Sequence, residues 1–174
     1  TCAPAESRRL AADLAARGIR MLDAPLSGSS SVARAGELLA MVGGPLDAFE
    51  ECRPLLDTFA SHVVHVGENG AGSSAKLVTN LILGLNRLAL AEGLALGLRA
   101  GLQPDALLEL LGHSAAASRA LAHKGRRMVS GDFAPDAKLS QHLKDVRLIR
   151  DFGEELGAVL PATRLHEQLL EQAV

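Results

Sequence analysis

A lysine and an asparagine four residues apart have a spacing suited to catalysis. Lys76 and Asn80 lie in a segment with a long helical pattern, so their i, i+4 spacing places both side chains on one face. The helix dipole disfavours a charged lysine in the first turn, and burial would lower its proton affinity further, towards that of a useful general acid or base. The spacing alone leaves open a solvated lysine near a helix end.

A serine- and glycine-rich segment forms a second candidate site. Residues 23–31 read Asp-Ala-Pro-Leu-Ser-Gly-Ser-Ser-Ser and follow a short apolar run. Backbone N–H groups and hydroxyls in such a loop can hold a carboxylate or a phosphate. A flexible polar connector has the same composition, so this alternative stays open.

Other polar residues carry weaker signals. Lys144 and Asp145 lie in a helical pattern with further arginines nearby, as on a charged, solvated helix face. The six histidines do not cluster in sequence, and His62 and His65 would point to opposite faces of a strand. We therefore expect no metal site. A hydrolase is also disfavoured because no G-x-S-x-G elbow is present.

Residues 70–75 match G-x-G-x-x-A, the pattern of a dinucleotide-binding turn. That fingerprint requires a strand–helix–strand unit of about 30 residues with an acidic residue at the end of the second strand. Here the helical pattern continues for about seven turns. The acidic residue at the matching distance, Glu92, lies within this helical pattern rather than at the end of a strand. We therefore expect this stretch to start a long helix rather than to bind a dinucleotide.

The elements that must position these side chains change in type near residue 67. Before it, helical and strand patterns alternate, which indicates α/β layering with some parallel pairing, or else a small α+β lobe. After it only helical patterns follow, and the first is apolar on most of its circumference, as in a central buried helix. The predicted strands are 19–22, 38–42 and 63–66, and the predicted helices are 6–17, 47–59, 72–100, 105–111, 115–129, 139–156 and 163–173.

Composition excludes several classes of protein. The chain has 174 residues, a net charge of −2 and 48% hydrophobic residues, which is typical of an ordinary globular chain rather than a disordered one. The two cysteines, Cys2 and Cys52, cannot build a disulfide framework or a four-ligand zinc site. Basic clusters and aromatic stacking residues are missing, so we expect no nucleic-acid partner. Charged residues interrupt the long apolar helix, so we expect no membrane span.

Five segments in order resemble the β-hydroxyacid dehydrogenase family, which includes 3-hydroxyisobutyrate dehydrogenase, tartronate semialdehyde reductase and glyoxylate/succinic semialdehyde reductase. Each segment alone would be weak evidence for the family, but five segments in this order and at this spacing are specific. The resemblance runs from Thr1 to the end of the sequence. The segments are Thr1-Cys2-Ala3-Pro4, Asp23-Ala24-Pro25-Leu26-Ser27-Gly28, Met41-Val42-Gly43-Gly44, residues 72–80 (GSSAKLVTN) and Lys144-Asp145.

The resemblance implies roles for these residues. Ser27, Gly28 and the neighbouring Ser29 would hold the carboxylate of a small 3-hydroxy acid or its semialdehyde. Lys76 would be the general acid or base for hydride transfer with NAD or NADP, and Asn80 would hydrogen-bond the substrate.

The same resemblance implies that Thr1 and Lys144 lie beside the cofactor. Asp145 would be a substrate-side or supporting partner.

Two positions depart from the family pattern. Ser29 replaces a second glycine, which reduces the freedom of the loop. Ala137 replaces a phenylalanine that many members carry, which predicts a roomier pocket. Two alternatives remain: an imine-reductase-like enzyme, although those enzymes lack a lysine at the Lys76 position, and an isolated chain that serves only as a catalytically incomplete dimerisation or substrate-domain module.

The resemblance implies the C-terminal part of a longer enzyme, whose adenosine-binding half would lie upstream of Thr1. We expect a mostly α chain: residues 1–67 as the C-terminal half of a Rossmann-type α/β domain, and residues 68–174 as an all-α substrate and oligomerisation domain. We further expect a cytoplasmic homodimer or tetramer, because the long apolar helix needs cover from another subunit.

Overall fold

The computed structural model describes residues 1–135 and 137–174. A small α/β region is followed by helices, so the predicted mostly α fold is confirmed. The strands are β1 (Leu26–Ser27), β2 (Leu38–Gly43) and β3 (Ala60–Gly67). The helices are α1 (Pro4–Ala15), α2 (Ser30–Arg34), α3 (Leu46–Leu56), α4 (Ala71–Arg99), α5 (Pro104–His113), α6 (Arg119–Ser130), α7 (Leu139–Glu155) and α8 (Pro161–Ala173).

The chain forms two compact units. One comprises residues 1–80 and 144–159, and the other comprises residues 81–143 and 160–174. The boundary between the units falls within α4, which begins in the first unit and ends in the second. Compact units are not the same as domains, so the domain boundary expected at residue 67 stays a prediction.

The sheet has the order β1-β2-β3, with β2 in the centre. β2 runs parallel to β3, as the alternation of strand and helix patterns predicts, and antiparallel to β1. Leu38, Ala40 and Val42 of β2 pack with Phe49 and Leu56 of α3 in the buried core. This core holds the end of β2 in place, and β2 in turn supports the loop before β1.

The strand expected at residues 19–22 is wrong. Asp23 instead exchanges both backbone hydrogen bonds with Gly43, the last residue of β2, at 2.9 and 2.8 Å. Residues 19–22 therefore lie beyond the end of β2, and no strand in the described part of the chain pairs with them. The ladder resumes at β1 after Pro25, which has no N–H to donate.

The predicted helices agree with the observed ones within a few residues, and the largest difference is at the start of α6. That helix begins at Arg119 rather than Ala115. The side chain of Ser118 accepts a hydrogen bond from the Leu121 backbone N–H at 3.1 Å, which is an N-cap interaction. A side-chain cap of this kind marks the start of the helix more sharply than the alanine-rich pattern before it.

α4 is one continuous helix of 29 residues, as expected, and several of its large apolar side chains are exposed within this chain. The expectation that another subunit covers this helix stays a prediction. Val78 and Ile82 are 54% and 53% exposed, and Leu96 is 73% exposed. By length and composition α4 could cross a membrane, although the core helix of a soluble protein passes the same test. The apolar pattern was correct, but within this chain much of it remains uncovered.

Candidate active site

A buried carboxylate holds the beginning of α4. Oδ1 of Asp23 accepts a hydrogen bond from the backbone N–H of Gly70, and Oδ2 accepts one from Ser73, both at 2.8 Å. The first N–H groups of a helix have no partner within the helix, and the helix dipole favours a negative charge beside them. Asp23, which is 47 and 50 residues away from these partners in sequence, thus caps α4 from the end of a neighbouring segment.

Two glycines allow this close approach. A Cβ added at Gly72 would lie 2.3 Å from the backbone oxygen of Asp23 and 2.6 Å from that of Met41. A Cβ at Gly43 would lie 2.5 Å from Oδ1 of Asp23 and 2.7 Å from the nitrogen of Gly72. Side chains at these positions would push α4 away from β2, so both glycines fix the height of the helix over the sheet.

The N-terminal segment is anchored to the same turn of α4. Ser7 and Ser73, both buried, share a hydrogen bond of 2.8 Å between their hydroxyls, and the Cys2 sulfur lies 3.4 and 3.5 Å from the two oxygens. Pro4 is fully buried at the start of α1. These contacts hold Thr1 near the beginning of α4.

Lys76 follows one turn after Gly72 and is only partly exposed. Burial lowers the pKa of the Lys76 ammonium from its usual value, and the nearby carboxylate of Asp145 opposes that shift. An amine with a lowered pKa exchanges a proton more readily near neutral pH than an ordinary surface lysine does.

Asp145 joins the other candidate residues. Its Oδ2 accepts hydrogen bonds from Nδ2 of Asn80 at 2.9 Å and from the hydroxyl of Thr1 at 3.1 Å. Nζ of Lys144 lies 3.4 Å from Oδ1 of Asp145 and donates to the backbone oxygen of Thr1 at 3.2 Å. The Asp145 side chain is 17% exposed, whereas that of Lys144 is 57% exposed. Asp145 therefore orients the amide of Asn80, and Lys144 keeps its charge towards solvent.

The predicted loop adopts a defined conformation. Gly28 has a φ of +145°, and a Cβ there would lie 2.6 Å from Cδ2 of Leu38. Ser29 has a φ of −84°, a conformation that any residue adopts, and its hydroxyl accepts a hydrogen bond from the Val32 N–H at the start of α2. The serine in place of a second glycine is thus accommodated without backbone strain. Ser27 lies beside it, at the end of β1.

The structure brings together the candidates Thr1, Asn80, Lys144 and Asp145, with Lys76 one turn before Asn80. In the loop, the Ser29 hydroxyl is hydrogen-bonded to Ser31 and Val32, and within residues 1–135 and 137–174 no hydrogen bond connects Ser27, Gly28 or Ser29 to Asp145. The sequence did not predict that Asp23 caps α4. There it was only the first residue of the serine-rich segment 23–31. Its position after an apolar run and two residues before Pro25 was the available signal.

The histidines also differ from the expectation. His142 and His166 appear isolated in sequence, but their rings pack with centroids 5.1 Å apart. Among the described residues, no group of three or more histidine, cysteine or acidic side chains is arranged to hold a metal ion.

Two family models match the chain. The NAD binding domain of 6-phosphogluconate dehydrogenase matches residues 1–67. The model described as NAD-binding of NADP-dependent 3-hydroxyisobutyrate dehydrogenase matches residues 70–174, which is more than half of the chain.

Individual proteins agree with these matches. The chain is 38% identical to 2-(hydroxymethyl)glutarate dehydrogenase of Eubacterium barkeri, over 97% of this chain and 56% of that protein. The crystal structure of 3-hydroxyisobutyrate dehydrogenase from Salmonella typhimurium is 32% identical with a TM-score of 0.87, over 98% of this chain and 60% of that one. The structure of Mycobacterium tuberculosis 3-hydroxyisobutyrate dehydrogenase is 26% identical with a TM-score of 0.90, and the match covers 98% of this chain and 61% of that one. The chain thus spans somewhat more than half the length of these relatives.

Proposed function

This chain belongs to the β-hydroxyacid dehydrogenase family of NAD(P)-binding oxidoreductases, and we propose that it carries the substrate and proton-transfer residues for interconverting a small β-hydroxyacid and its semialdehyde. The observation that supports this most strongly is the arrangement of Lys76 and Asn80. The first has a lowered pKa, and the second has its amide oriented by Asp145.

Lys76 is the proposed general acid and base. In the reducing direction its ammonium donates a proton to the carbonyl oxygen while hydride adds to the carbonyl carbon. In the oxidising direction its neutral amine accepts the hydroxyl proton while hydride leaves the same carbon. Burial of the ammonium supports this role because it brings the two protonation states closer in free energy.

Asn80 is the proposed orienting residue. Because Nδ2 donates to Asp145, Oδ1 of the same amide remains available to accept a hydrogen bond from a substrate hydroxyl. A rigid amide one turn from Lys76 would hold the reacting oxygen at a defined angle to the lysine nitrogen.

Ser27, Gly28 and Ser29 are proposed to hold the carboxylate of the substrate. Gly28 adopts a positive φ and packs against Leu38 and Val32, so only glycine allows the backbone conformation of this loop. The hydroxyl of Ser27 is a potential donor beside it.

The ammonium of Lys144 and the hydroxyl of Thr1 are hydrogen-bond donors of the kind that bind an anionic dinucleotide. A solvent-facing ammonium and a hydroxyl are suitable partners for its phosphate and ribose groups. When bound, the cofactor supplies or accepts the hydride. The two residues support NAD and NADP equally.

The position of Ala137 favours a substrate larger than the smallest semialdehydes. Its short side chain is exposed and stands where the resemblance implies a phenylalanine. We expect turnover to be retained as the substrate becomes bulkier than a four-carbon semialdehyde. A steep fall over that series would refute this substrate assignment.

We also propose that the enzyme is a cytoplasmic homodimer or tetramer. The exposed apolar residues Val78, Ile82 and Leu96 of α4 support a subunit interface, since large apolar side chains on one helix are rarely left to solvent. Sedimentation of the protein would distinguish a monomer from the proposed oligomers.

Replacing Lys76 tests the proposed reaction. In the enzyme, we expect Lys76→Gln to lower kcat for the oxidation of 3-hydroxyisobutyrate by about 10²- to 10⁴-fold. The matched control Lys124→Gln, on α6, should retain the original kcat. A Lys76→Gln enzyme with an unchanged kcat would remove lysine from the proton transfer, and a protein that binds neither NADH nor NADPH would favour the incomplete-module alternative.

A further inference from the structure

A cavity of about 290 Å³ lies in the compact unit of residues 81–143 and 160–174. Its lining comes from the middle of α4, the segment before α7 and the start of that helix, and α8. Four of the lining residues have basic side chains: Arg87, Lys138, His142 and His166. Within the described part of the chain, no acidic side chain lines it. Each of these four side chains carries an N–H group or an ammonium that can donate a hydrogen bond to an anionic ligand.

A glycine brings the two histidines against α4. A Cβ added at Gly84 would lie 2.7 Å from Cε1 of His166 and 3.1 Å from Cε1 and Nε2 of His142. Since Gly84 has no side chain, both rings lie directly against α4 where they line the cavity. Their centroids are 5.1 Å apart, so both rings can face one small ligand.

His166 is the most informative of these residues. It is 7% exposed and lines the cavity, where its ring packs against that of His142. An imidazole that lines a cavity can donate a hydrogen bond to an acceptor bound there. Burial also lowers the pKa of His166, so the ring is poised to gain a proton when a negative charge arrives.

The rest of the lining is apolar. Leu88, Leu169 and Leu170 contribute aliphatic side chains, while Ala137 and Lys138 lie at the exposed rim. A bare inorganic anion would leave these leucines without a contact. An acid group carried on a short aliphatic chain would use both the basic and the apolar surfaces.

We propose that this cavity binds a small aliphatic carboxylic acid, with the carboxylate facing the basic side chains of Arg87, Lys138, His142 and His166 and the hydrocarbon chain against the leucines. Binding is measurable without turnover, so the assignment does not depend on the proposed dehydrogenase reaction.

The titration of His166 provides the test, followed by NMR on the protein at constant ionic strength. The His166 Cε1–H signal is identified by its loss in His166→Gln. The charged or titratable groups that line the cavity with this ring are Arg87 from α4 and Lys138 and His142 from the α7 side. Glu167 follows His166 on α8 and does not line the cavity. We expect pentanoate to raise the pH at which His166 titrates by about one unit, because an adjacent carboxylate stabilises the imidazolium.

Two probes separate this proposal from its alternatives. Pentanamide has the same shape without the charge and should leave the His166 titration unchanged. An equal response to pentanamide, or no response to pentanoate, would overturn the proposal. A response to inorganic phosphate without one to pentanoate would assign a phosphate group and would also overturn it.

Substitutions locate the binding. Lys138 is exposed, so Lys138→Gln should fold normally and weaken pentanoate binding roughly tenfold, as expected for the loss of one charge-assisted hydrogen bond. Arg87→Gln should weaken it at least as much. Arg119→Gln, an exposed arginine on α6 that does not line the cavity, should leave the affinity unchanged. Equal affinities in Lys138→Gln and Arg119→Gln would contradict the site.

Discussion

The beginning and the remainder of α4 are held by different forces. In the first turn, buried polar groups are fully paired: Asp23 caps two backbone N–H groups, and Ser7 is hydrogen-bonded to Ser73. Further along, large apolar side chains such as Ile82 and Leu96 remain exposed within this chain. Polar contacts of defined geometry fix a helix in position and rotation, whereas apolar contacts are non-directional. The end that carries Lys76 is thus the end that is positioned precisely.

Replacing a glycine by alanine should change the free energy of unfolding in opposite directions in the two parts of α4, and this is the largest difference that we expect. Gly72→Ala places a Cβ against two backbone oxygens, which cannot move aside as a side chain could, and should lower the free energy of unfolding by about 3 kcal/mol. Gly93→Ala, in the exposed part of the same helix, meets no atom within 4 Å and should raise it by about 0.5–1 kcal/mol. Urea unfolding of both variants measures the difference. Equal effects would show that the two parts of α4 are not held differently.

Removing the charge of the capping carboxylate should have the next largest effect on stability. Asp23→Asn keeps the shape of the side chain but offers one acceptor oxygen to two buried N–H groups, so we expect a loss of about 2 kcal/mol. Asp13→Asn changes an exposed aspartate paired with Arg9 at 3.5 Å and should cost less than about 0.5 kcal/mol. Thermal unfolding of the two variants gives the comparison. If Asp13→Asn cost as much as Asp23→Asn, the cap would have no special role.

The Asp145 carboxylate should affect the pH dependence of the reaction. It raises the pKa of Lys76, so Asp145→Asn should lower that pKa further below its usual value. Carbonyl reduction needs the ammonium form, so its kcat/KM is full below the Lys76 pKa and is lost as the pH rises through it. That loss should occur at lower pH in the variant, and the rise of the oxidation rate should move in the same direction.

Asp151→Asn, which alters an exposed carboxylate on the same helix, should leave both pH profiles in place. A profile that does not move in Asp145→Asn would show that this carboxylate does not act on the proton-transfer group.

The smallest effect is expected at an ordinary helix cap. Ser29→Gly removes the side-chain acceptor at the start of the short α2, where the bond to the Val32 N–H is long at 3.4 Å. Because glycine is itself a tolerated cap, the loss should be only a few tenths of a kcal/mol. Chemical unfolding of this variant beside Asp23→Asn compares a local cap with a distant one. A loss as large as that of Asp23→Asn would mean that the local cap matters equally.

Local patterns predicted most of the elements, because helix periodicity and glycine or proline breaks are encoded within a few residues. The same spacing rule correctly placed Lys76 and Asn80 on one helix. The apolar pattern of α4 also led us to expect cover from another subunit, and the exposed side chains of this helix within the chain leave that expectation a prediction.

Long-range contacts account for the remaining differences. The partners of Asp23 lie 47 and 50 residues further on, and the Asn80–Asp145 hydrogen bond joins residues 65 apart. The packing of His142 against His166 depends on the small size of Gly84 on a third helix. No local pattern carries this information. The resemblance to a family implied roles for Asn80 and Asp145, but not the hydrogen bond between them.

The central claim is that Lys76 is a partly buried lysine prepared for proton transfer. The chain has only four lysines, at positions 76, 124, 138 and 144, so their Cε and Nζ NMR signals can be followed individually through a pH titration. We predict that the signal lost in Lys76→Gln titrates at a lower pH than a free lysine side chain does. A Lys76 signal that titrates at the ordinary lysine value would contradict this account directly.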